Sequence, residues 1–443
     1  MPIKKTTAKK KTPEAAPRRR AVLIGGVRTP FVRSFGQLLK MDTIALGVEA
    51  MRGLLERYPV PYREIDSVVW GGVVLPSTTV NTGREIALDL GLPPTVECTT
   101  MTRACTTSLF TAAQASAAIE RGDADVVISG GSDSLSNAEL TMPRSLMHKV
   151  APVAMSRKAG PADYAKLITQ LKPKDLVPQR PAVKERSTGE LMGESAEKMA
   201  VRHQISREAQ DSLAHQSHQR AAAAVAAGRF ADEITSVDAP GGKRVHSDDL
   251  IRGDASLEKM AKLRPAFAKD GTLTAANSSA LTDGASALLW MDEAKAKALG
   301  FTPKAAFAAW SFDAVDPADQ MLIGPAISMP RSVHRAGMSL ADIDLVDIHE
   351  AFAAQVLCVL KMLANERFAH EWAGLDAALG EIAPERINVH GGSIPLGHPF
   401  AATGARMLST MANELVLADK ATALLGICGA GGVSAGAVIE RVG

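Results

Sequence analysis

Short apolar runs that end in glycine turns alternate along this chain with helical patterns rich in alanine. Residues 21–27 form an apolar run that predicts a buried strand, and residues 43–57 have the apolar spacing of a helix. A strand over 64–72, an Ala-rich helix over 106–121 and a strand over 125–131 follow. Such alternation predicts an α/β fold in which helices cover a sheet in layers.

The same pattern occurs again near the C-terminus. Residues 342–350 resemble 64–72, because both begin with an acidic residue, isoleucine and aspartate. A helix over 401–417 and a strand over 422–428, which runs into a glycine cluster, resemble 106–131. We therefore expect two related halves whose loop ends face each other.

The segment 144–265 differs from both halves, because prolines and basic residues interrupt its pattern. It contains one strong predicted helix, which Ser206 caps and which runs to about Ala227. We interpret the segment as an inserted excursion without a core of its own. Small apolar residues return over 272–277 and 285–290, and both stretches are predicted to be strand-like.

Composition restricts the class of protein. A chain of 443 residues with 46% hydrophobic and 22% charged residues can form two or three packed units. A spanning helix is not expected, because no apolar run reaches about 18 residues. The cysteines have neither the spacing of a disulfide framework nor that of a C-x-x-C zinc site, which indicates a reducing compartment. They are Cys98, Cys105, Cys358 and Cys428.

The first twenty residues are strongly basic. Eight Lys or Arg and one Glu give residues 1–20 a charge of +7, which leaves −5 for the other 423 residues, since the whole chain carries +2. Without apolar periodicity this segment is predicted to be a disordered tail. A solvated tail is the simplest interpretation, and contact with an anionic membrane or with nucleic acid is the alternative.

Three loops offer groups for acyl-transfer chemistry. Cys105 lies where a loop enters the helix over 106–121, and the helix dipole there is expected to lower the pKa of its thiol. His398, between Gly397 and Pro399, is held by a stiff loop and suits a general base. Cys428 ends a strand before a glycine turn whose N–H groups can face an oxyanion. Each of these residues could also have a purely structural role.

Other sites have less support. His349 is either a second histidine of the site or a satisfied polar residue at a strand end. No metal site is expected, because no His or Cys pair has ligand spacing such as H-E-x-x-H. Neither G-x-x-x-x-G-K-[ST] nor a strand-linked G-x-G-x-x-G is present, so triphosphate and dinucleotide sites lack support as well.

Taken together, ordered sequence landmarks resemble the thiolases, a family of coenzyme-A-dependent acyltransferases. The resemblance runs from Ala21 to Val442. The landmarks are 27–30 (Val-Arg-Thr-Pro), the Cys105 segment, 130–134 (Gly-Gly-Ser-Asp-Ser), 192–197 (Met-Gly-Glu-Ser-Ala-Glu), 277–284, His349 with the three residues after it, 397–399 and the Cys428 turn.

Several details resemble the thiolase (beta) subunits of fatty-acid β-oxidation complexes in particular. They are Arg103-Ala104-Cys105, residues 263–267 (Leu-Arg-Pro-Ala-Phe) and the run 397–406. His349 stands where many thiolases have Asn, which leaves open how a water in the first oxyanion hole is held. The resemblance implies thiolytic cleavage of 3-ketoacyl-CoA to acetyl-CoA and a shortened acyl-CoA.

The resemblance also implies roles for individual residues. His398 would take the proton of Cys105, whose thiolate attacks the 3-keto carbon and holds the acyl group. Cys428 would protonate the departing acetyl-CoA carbanion and later deprotonate coenzyme A. The thioester oxygen would be bound by His398 and by a water on His349, and the N–H groups of Cys105 and Ala430 would bind the other oxyanion.

Coenzyme A is expected as a substrate, and no permanently bound cofactor is expected. Ser279 matches a position along the pantetheine arm, and Met192 is assigned to the same binding site.

The expected domains follow from the resemblance too. The basic tail covers 1–20, and the N-terminal core covers 21–143 and is completed by 266–296. The loop domain over 144–265 covers coenzyme A and the acyl tunnel, and the C-terminal core covers 297–443. The implied architecture is an αβαβα layered thiolase fold.

Alternatives and partners complete the expectations. An acetoacetyl-CoA thiolase that works mainly in condensation uses the same residues, whereas a ketoacyl synthase would lack the thiol of Cys428. A non-catalytic lipid-carrier or assembly subunit would have lost Cys105, His398 or Cys428. A homodimer or homotetramer is expected, with a hydratase/dehydrogenase alpha subunit as a further partner and no nucleic acid. The expected location is the bacterial cytoplasm in preference to the mitochondrial matrix.

Overall fold

The computed structural model describes residues 19–179 and 184–442. Predictions about residues 1–18 lie outside this part of the chain. The last two residues of the predicted tail are described, and both are bound to the core: Arg19 pairs with Asp125, and Arg20 pairs with Glu440. The predicted disordered tail therefore does not include Arg19 and Arg20.

One mixed sheet dominates the fold. Its strands follow the order β10-β11-β12-β9-β1-β8-β5-β3-β4, with β2 paired to β8, and β6 and β7 form a separate hairpin. The strands are β1 Ala21–Arg28, β2 Val32–Arg33, β3 Ser67–Gly71, β4 Glu97–Met101, β5 Val126–Asp133, β6 Val237–Ala239, β7 Lys243–Val245, β8 Thr282–Asp292, β9 Ala305–Ala314, β10 Leu345–Ile348, β11 Thr422–Cys428 and β12 Val433–Arg441.

Helices cover both faces of this sheet, and two of them lie between its two halves. They are α1 Thr43–Arg57, α2 Thr82–Asp89, α3 Thr107–Arg121, α4 Arg144–Ala154, α5 Pro161–Gln170, α6 Met192–Arg202, α7 Arg207–Ala226, α8 Leu257–Ala261, α9 Glu293–Ala298, α10 Pro317–Gln320, α11 Pro325–Arg335, α12 Ala353–Leu363, α13 Glu366–Phe368, α14 Ser393–Leu396 and α15 Thr403–Leu417.

The strand order contains the same arrangement twice. In the first half β3, β5, β8 and β1 are neighbours in that order, and in the second half β10, β11, β12 and β9 are. The first two strands of each set are parallel and the next pairing is antiparallel. The halves join where β1 meets β9, through the pair Leu23 and Ala305. The predicted repeat is therefore present in the strand order.

The layers follow from the alternation of side chains along the strands. On β1, Val22 and Ile24 face an outer apolar cluster that includes α1, whereas Leu23 faces a central cluster. Helices α3 and α15 lie in that central cluster and contact strands of both halves, and α11 covers the other half of the sheet from outside. The result is the predicted αβαβα order of layers.

One predicted strand is absent. Residues 272–277 form a loop, because side chains satisfy their backbone instead of a neighbouring strand. The carboxylate of Glu197 accepts hydrogen bonds from the N–H groups of Thr272 and Leu273, and the side chain of Asn277 accepts one from Thr274. The stretch over 285–290 does lie in a strand, β8.

The segment 144–265 packs on both halves. Ala196 and Met199 of α6 join the apolar cluster of the second half, whereas Val237 and Val245 of the β6–β7 hairpin join the outer cluster of the first. As predicted, Ser206 caps α7 by accepting a hydrogen bond from the N–H of Ala209. The domain boundaries themselves remain predictions. Among the described residues, no helix combines the length and the apolar character needed to cross a membrane.

Candidate active site

Cys105 lies in a strained loop between β4 and α3. Ala104 just before it has a φ of 48°, in the left-handed region that a residue with a Cβ rarely adopts. Thr107 holds the loop closed, because its hydroxyl accepts a hydrogen bond from the N–H of Arg103 and donates one to the carbonyl of Ala104. Arg103 also donates to the carbonyl of Ser434 on β12, 2.8 Å away. The Cys105 loop is thus bound to a strand of the second half.

The predicted low pKa of Cys105 is wrong for the resting protein. Helix α3 begins at Thr107, so the sulfur lies before its first turn. Part of the Cys105 residue is accessible to solvent, yet burial of the sulfur raises the pKa of the thiol to about 12. Hydrogen bonds from the N–H groups of Ala430 and of Cys105 itself lower it, but they are weaker than the effect of burial.

His398 is fixed on two sides. Its Nδ1 lies 2.6 Å from the hydroxyl of Thr403, at the start of α15, and its backbone N–H donates to the hydroxyl of Thr282, 3.0 Å away. Its Nε2 is buried and has no hydrogen-bond partner among the described residues. Burial, helped by the positive charge of Arg406, lowers the pKa of His398 to about 3. The resting imidazole is therefore neutral, with Nε2 unengaged.

The ring of His349, like that of His398, is held by a hydroxyl group at its Nδ1 atom. Its Nδ1 lies 2.8 Å from the hydroxyl of Ser393, and Ser393 is also contacted by the guanidinium of Arg406 at 3.3 Å. Arg406 in turn forms a buried ion pair with Asp347. Burial, His398 and Arg406 together lower the pKa of His349 well below its usual range. Its Nε2 is buried without a partner in the described part of the chain.

The fold brings these groups to one place. The sulfur of Cys105 and one ring nitrogen each of His349 and His398 lie within 4.8 Å of one another. The two imidazole rings have centroids 4.1 Å apart. His349 follows β10 and Cys428 ends β11, and because these strands are parallel, their carboxyl ends meet at one edge of the sheet.

Cys428 is buried beside Cys105. Burial, reinforced by the negative charge that Cys105 would carry as thiolate, raises the pKa of its thiol well above the usual range. A Cβ on Gly429 would lie 3.4 Å from the backbone nitrogen of Cys105, so the glycine turn and the Cys105 loop are in contact. Gly432 has a φ of 73° and lies against the carbonyl of Val315, where only glycine fits. Cys428 therefore lies beside the group formed by Cys105, His349 and His398.

Residues that hold this site in place were not singled out from the sequence. Glu350 is buried and accepts hydrogen bonds from Ser217, from Asn388 and from the N–H of Ile394, which joins the loop before His398 to α7. The sequence carries one signal for it: an acidic residue directly follows His349. The hydroxyl partners Ser393 and Thr403 carry no such local signal.

A cavity of about 670 Å³ lies beside the segment that pairs with the His398 loop, and its described lining includes none of Cys105, His349, His398 and Cys428. Its lining includes Ser279, whose assignment to coenzyme A remains a prediction, and Leu281, which forms a β-bridge with His398. Three cationic side chains, those of Arg33, Arg252 and Lys259, also line it. Met192 begins α6 and packs against the apolar cluster of the second half. Among the described lining residues Met192 does not occur, so its role in binding remains a prediction.

Comparison with known proteins identifies the family. Residues 21–294 match the model of the thiolase N-terminal domain, and residues 301–441 match that of the thiolase C-terminal domain. The chain belongs to the thiolase family. The 3-ketoacyl-CoA thiolase of Citrobacter koseri is 42% identical over 423 residues, which are 95% of this chain and 97% of that relative. The protein of the same name from Shewanella woodyi is 40% identical with the same coverage.

Solved thiolase structures share the architecture. The crystal structure of the Bacillus anthracis acetyl-CoA acetyltransferase covers 96% of this chain and 99% of its own, with a TM-score of 0.82 and 30% identity. The crystal structure of human mitochondrial 3-ketoacyl-CoA thiolase matches 97% of this chain and 100% of its own chain, with a TM-score of 0.81 and 30% sequence identity. These findings confirm the predicted family, α/β fold and acyltransferase class, and the curated thiolase relatives carry the predicted function in their names.

Proposed function

We propose that this thiolase cleaves 3-ketoacyl-CoA with coenzyme A, in fatty-acid β-oxidation, to give acetyl-CoA and a shortened acyl-CoA. The observation that carries the proposal is the convergence of Cys105, His349 and His398 within 4.8 Å, beside a second buried thiol, Cys428. This grouping supports the roles of Cys105 as nucleophile, His398 as base and Cys428 as second acid, the three functions that acyl transfer and carbanion protonation require.

In the first half-reaction the Cys105 sulfur attacks the 3-keto carbon while its proton moves to Nε2 of His398. The keto oxygen becomes an oxyanion that faces the N–H groups of Cys105 and Ala430, the donors that already point at the sulfur. Collapse of this intermediate breaks the carbon–carbon bond and leaves the acyl group on Cys105. Cys428 gives its proton to the acetyl-CoA carbanion and becomes a thiolate.

In the second half-reaction coenzyme A releases the acyl group. The Cys428 thiolate takes the proton of the coenzyme A thiol, whose sulfur then attacks the thioester carbon on Cys105. The shortened acyl-CoA leaves, and the Cys105 sulfur regains its proton from His398. Each protein group therefore ends the turnover in its starting protonation state: His398 returns the proton of Cys105, and the coenzyme A thiol replaces the proton that Cys428 gave to acetyl-CoA.

His349 and His398 are proposed to stabilise enolate charge on the thioester oxygen of acetyl-CoA. Both Nε2 atoms are buried without partners among the described residues, and the rings lie side by side. A polar substrate atom or a water between them would satisfy both nitrogens in a site of low dielectric constant. This arrangement supports a direct contribution of the imidazole that stands where many thiolases have Asn.

The cavity beside the site is proposed to hold coenzyme A. Its apolar wall includes Phe267 and Leu281, and Ser279 lies on the segment that bridges to the catalytic loops. Arg33, Arg252 and Lys259 provide positive charge for the phosphates of coenzyme A. In the proposed reaction, coenzyme A bound in this cavity is a substrate, because its thiol accepts the acyl group from Cys105.

Two features bear on the alternatives. The same residues catalyse thiolysis and condensation, so an acetoacetyl-CoA thiolase remains the second candidate, and the similarity to an acetyl-CoA acetyltransferase favours keeping it. A non-catalytic subunit is disfavoured, because Cys105, His398 and Cys428 are all present. We further propose a homodimer or homotetramer in the bacterial cytoplasm, with a hydratase/dehydrogenase subunit as a candidate partner.

A thiolysis assay tests the proposal. The magnesium-enolate absorbance of 3-ketoacyl-CoA should fall when enzyme and coenzyme A are added, over a substrate series from about C4 to about C16. The Cys428→Ser variant should lose about 10²–10⁴-fold in turnover, the usual share of general acid–base catalysis. Activity restricted to acetoacetyl-CoA, mainly in the condensation direction, would favour the second candidate, and no activity with any chain length would refute both.

A further inference from the structure

Three groups of the site are typical metal ligands. Cys105, His349 and His398 come from three loops far apart in sequence, and one ligand atom of each lies within 4.8 Å of the other two. Sequence spacing did not reveal this group, because each ligand stands alone in its own segment. In the described part of the chain, this is the one group of three or more His, Cys, Asp or Glu residues whose ligand atoms lie close enough together to hold a metal ion.

The two imidazoles are oriented as in metal sites. In each ring Nδ1 is engaged by a hydroxyl, that of Ser393 for His349 and that of Thr403 for His398. Metal-bound histidines usually have their second nitrogen held in this way, which fixes the ring. Both Nε2 atoms are buried and lack a hydrogen-bond partner among the described residues. Two unsatisfied nitrogens and one sulfur thus face the same space.

The chemistry of these atoms selects the cation. Zn²⁺ favours thiolate and imidazole ligands in a tetrahedron, with bond lengths that place neighbouring ligand atoms about 3.5 Å apart. Because the three ligand atoms lie within 4.8 Å of one another, small side-chain rotations that move them together by up to about 1 Å complete such a site. Mg²⁺ and Ca²⁺ prefer oxygen ligands and do not fit this set. Three protein ligands leave a fourth position for water or an incoming thiol.

We propose that Cys105, His349 and His398 bind Zn²⁺, and that the bound ion reversibly inhibits the enzyme. Binding replaces the proton of the Cys105 thiol by the metal and releases that proton to solvent. The ion occupies the sulfur that must attack substrate and the Nε2 atom that must take its proton. The metal site rests on geometry, whereas the inhibition rests on the proposed function.

Cobalt binding tests the site without reference to turnover. The full chain, reduced and treated with a chelator that is then removed, is titrated with Co²⁺. We expect one Co²⁺ per chain, with the thiolate-to-cobalt absorption band of a sulfur ligand, and displacement of Co²⁺ by Zn²⁺. Alkylation of Cys105 in the wild-type protein by iodoacetamide should abolish the band, which tests the sulfur without a folding risk.

Variants identify the nitrogen ligands. His349→Asn and His398→Asn should each weaken Co²⁺ binding by at least about tenfold, since loss of a group that only supports a ligand already costs 10–100-fold. Cys98→Ser is the matched control, because Cys98 is a free, half-buried thiol outside the site, and it should bind Co²⁺ as the wild type does. A spectrum without a thiolate band, or unchanged binding in His349→Asn, would overturn the site.

Inhibition is measured separately. Thiolysis should fall on addition of Zn²⁺ and recover with a chelator, and His349→Asn should retain more of its own basal rate at the same Zn²⁺ concentration. Cobalt binding without any zinc effect on thiolysis would overturn the inhibitory role and leave the metal site standing. Cobalt binding by a chain without thiolase activity would refute the proposed function but not the metal site.

Discussion

Cys105 and His398 meet in the resting site as neutral groups. Burial raises the pKa of the Cys105 thiol to about 12 and lowers that of His398 to about 3, so the proton stays on sulfur. In the proposed mechanism, proton transfer is therefore expected to accompany attack on the substrate carbon, when charge moves from sulfur to the oxyanion faced by the N–H groups of Cys105 and Ala430. We therefore expect no thiolate–imidazolium pair to form before substrate binds.

The pH dependence of alkylation tests this resting state. The thiol is protonated well below its raised pKa, so the thiolate fraction grows with pH. The rate of Cys105 carboxymethylation by iodoacetamide should rise continuously from about pH 6 to about pH 9. Peptide mass spectrometry assigns the modified residue, and Cys105→Ala gives the background. A plateau below about pH 7 would show that the ion pair forms without substrate.

Ser393 is expected to act through His349. Its hydroxyl is the contact between the His349 ring and the buried pair of Arg406 and Asp347. Ser393→Ala should lower turnover about fivefold, the effect of one hydrogen bond worth about 1 kcal/mol. Ser393→Thr, which keeps the hydroxyl, should restore most of it.

A double variant separates positioning from stability. In a His349→Ala background, Ser393→Ala should change turnover no further, because the ring that it orients is gone. An undiminished fivefold loss in that background would show that Ser393 acts on the fold or on another group.

At the residue scale, the sequence singled out candidate groups that the fold brings close together, but it did not single out the side chains that hold them. Cys105, His398 and Cys428 stand beside glycines, prolines or helix starts that can be recognised locally. Ser393 and Thr403 matter because the tertiary fold places their hydroxyls next to imidazoles. The pKa of Cys105 was predicted in the wrong direction, because burial outweighs the helix dipole.

The two central helices position the reacting groups. Helix α3 begins two residues after Cys105, and α15 begins five residues after His398. The helices approach closely at Gly404 of α15, where a Cβ would lie 2.5 Å from the backbone nitrogen of Leu109 on α3. The spacing of these helices therefore constrains the distance between Cys105 and His398, the proposed nucleophile and base.

Gly404→Ala should disturb both stability and activity. The added methyl group meets backbone that cannot move without shifting a helix, and such overpacking costs about 1–3 kcal/mol. Urea unfolding should show this loss, and turnover should fall as Cys105 and His398 separate. Gly160→Ala is the control, since a Cβ there meets no atom within 4 Å. Equal stability of the two variants would contradict the close approach.

Helices and strands could be predicted from the sequence where the spacing of apolar residues determines them. The helix over 43–57 and the strand over 422–428 have their predicted bounds, since an apolar face determines each. The loop over 272–277 was predicted as a strand, because its composition is small and apolar. The carboxylate of Glu197, distant in sequence, decides its structure instead.

For the whole molecule, the repeat explains the location of the site. Cys105 comes from the first half, whereas His349, His398 and Cys428 come from the second, and the central helices join them. Neither half contains the complete set. The sequence echo between 64–72 and 342–350 predicted the paired halves, but the pairing of β1 with β9 that joins them has no sequence signal.

Deletion of residues 1–18 tests the role of the basic tail. The deletion retains Arg19 and Arg20, which pair with Asp125 and Glu440 of the core. Thiolysis of a short soluble substrate should stay within about twofold, as for surface changes remote from a site. Binding to anionic vesicles, where it occurs, should weaken with the deletion and with salt. A folded truncation that loses most of its turnover would contradict this view.

The acyl-enzyme is the most direct test of the account. Intact-protein mass spectrometry after incubation with acetyl-CoA alone should show one acetyl adduct, mapped to Cys105 and removed by later addition of coenzyme A. Cys105→Ala should show none, whereas Cys98→Ser should acetylate as the wild type does. An adduct of equal yield on Cys105→Ala, or one that coenzyme A does not remove, would contradict the assignment of Cys105 as the nucleophile.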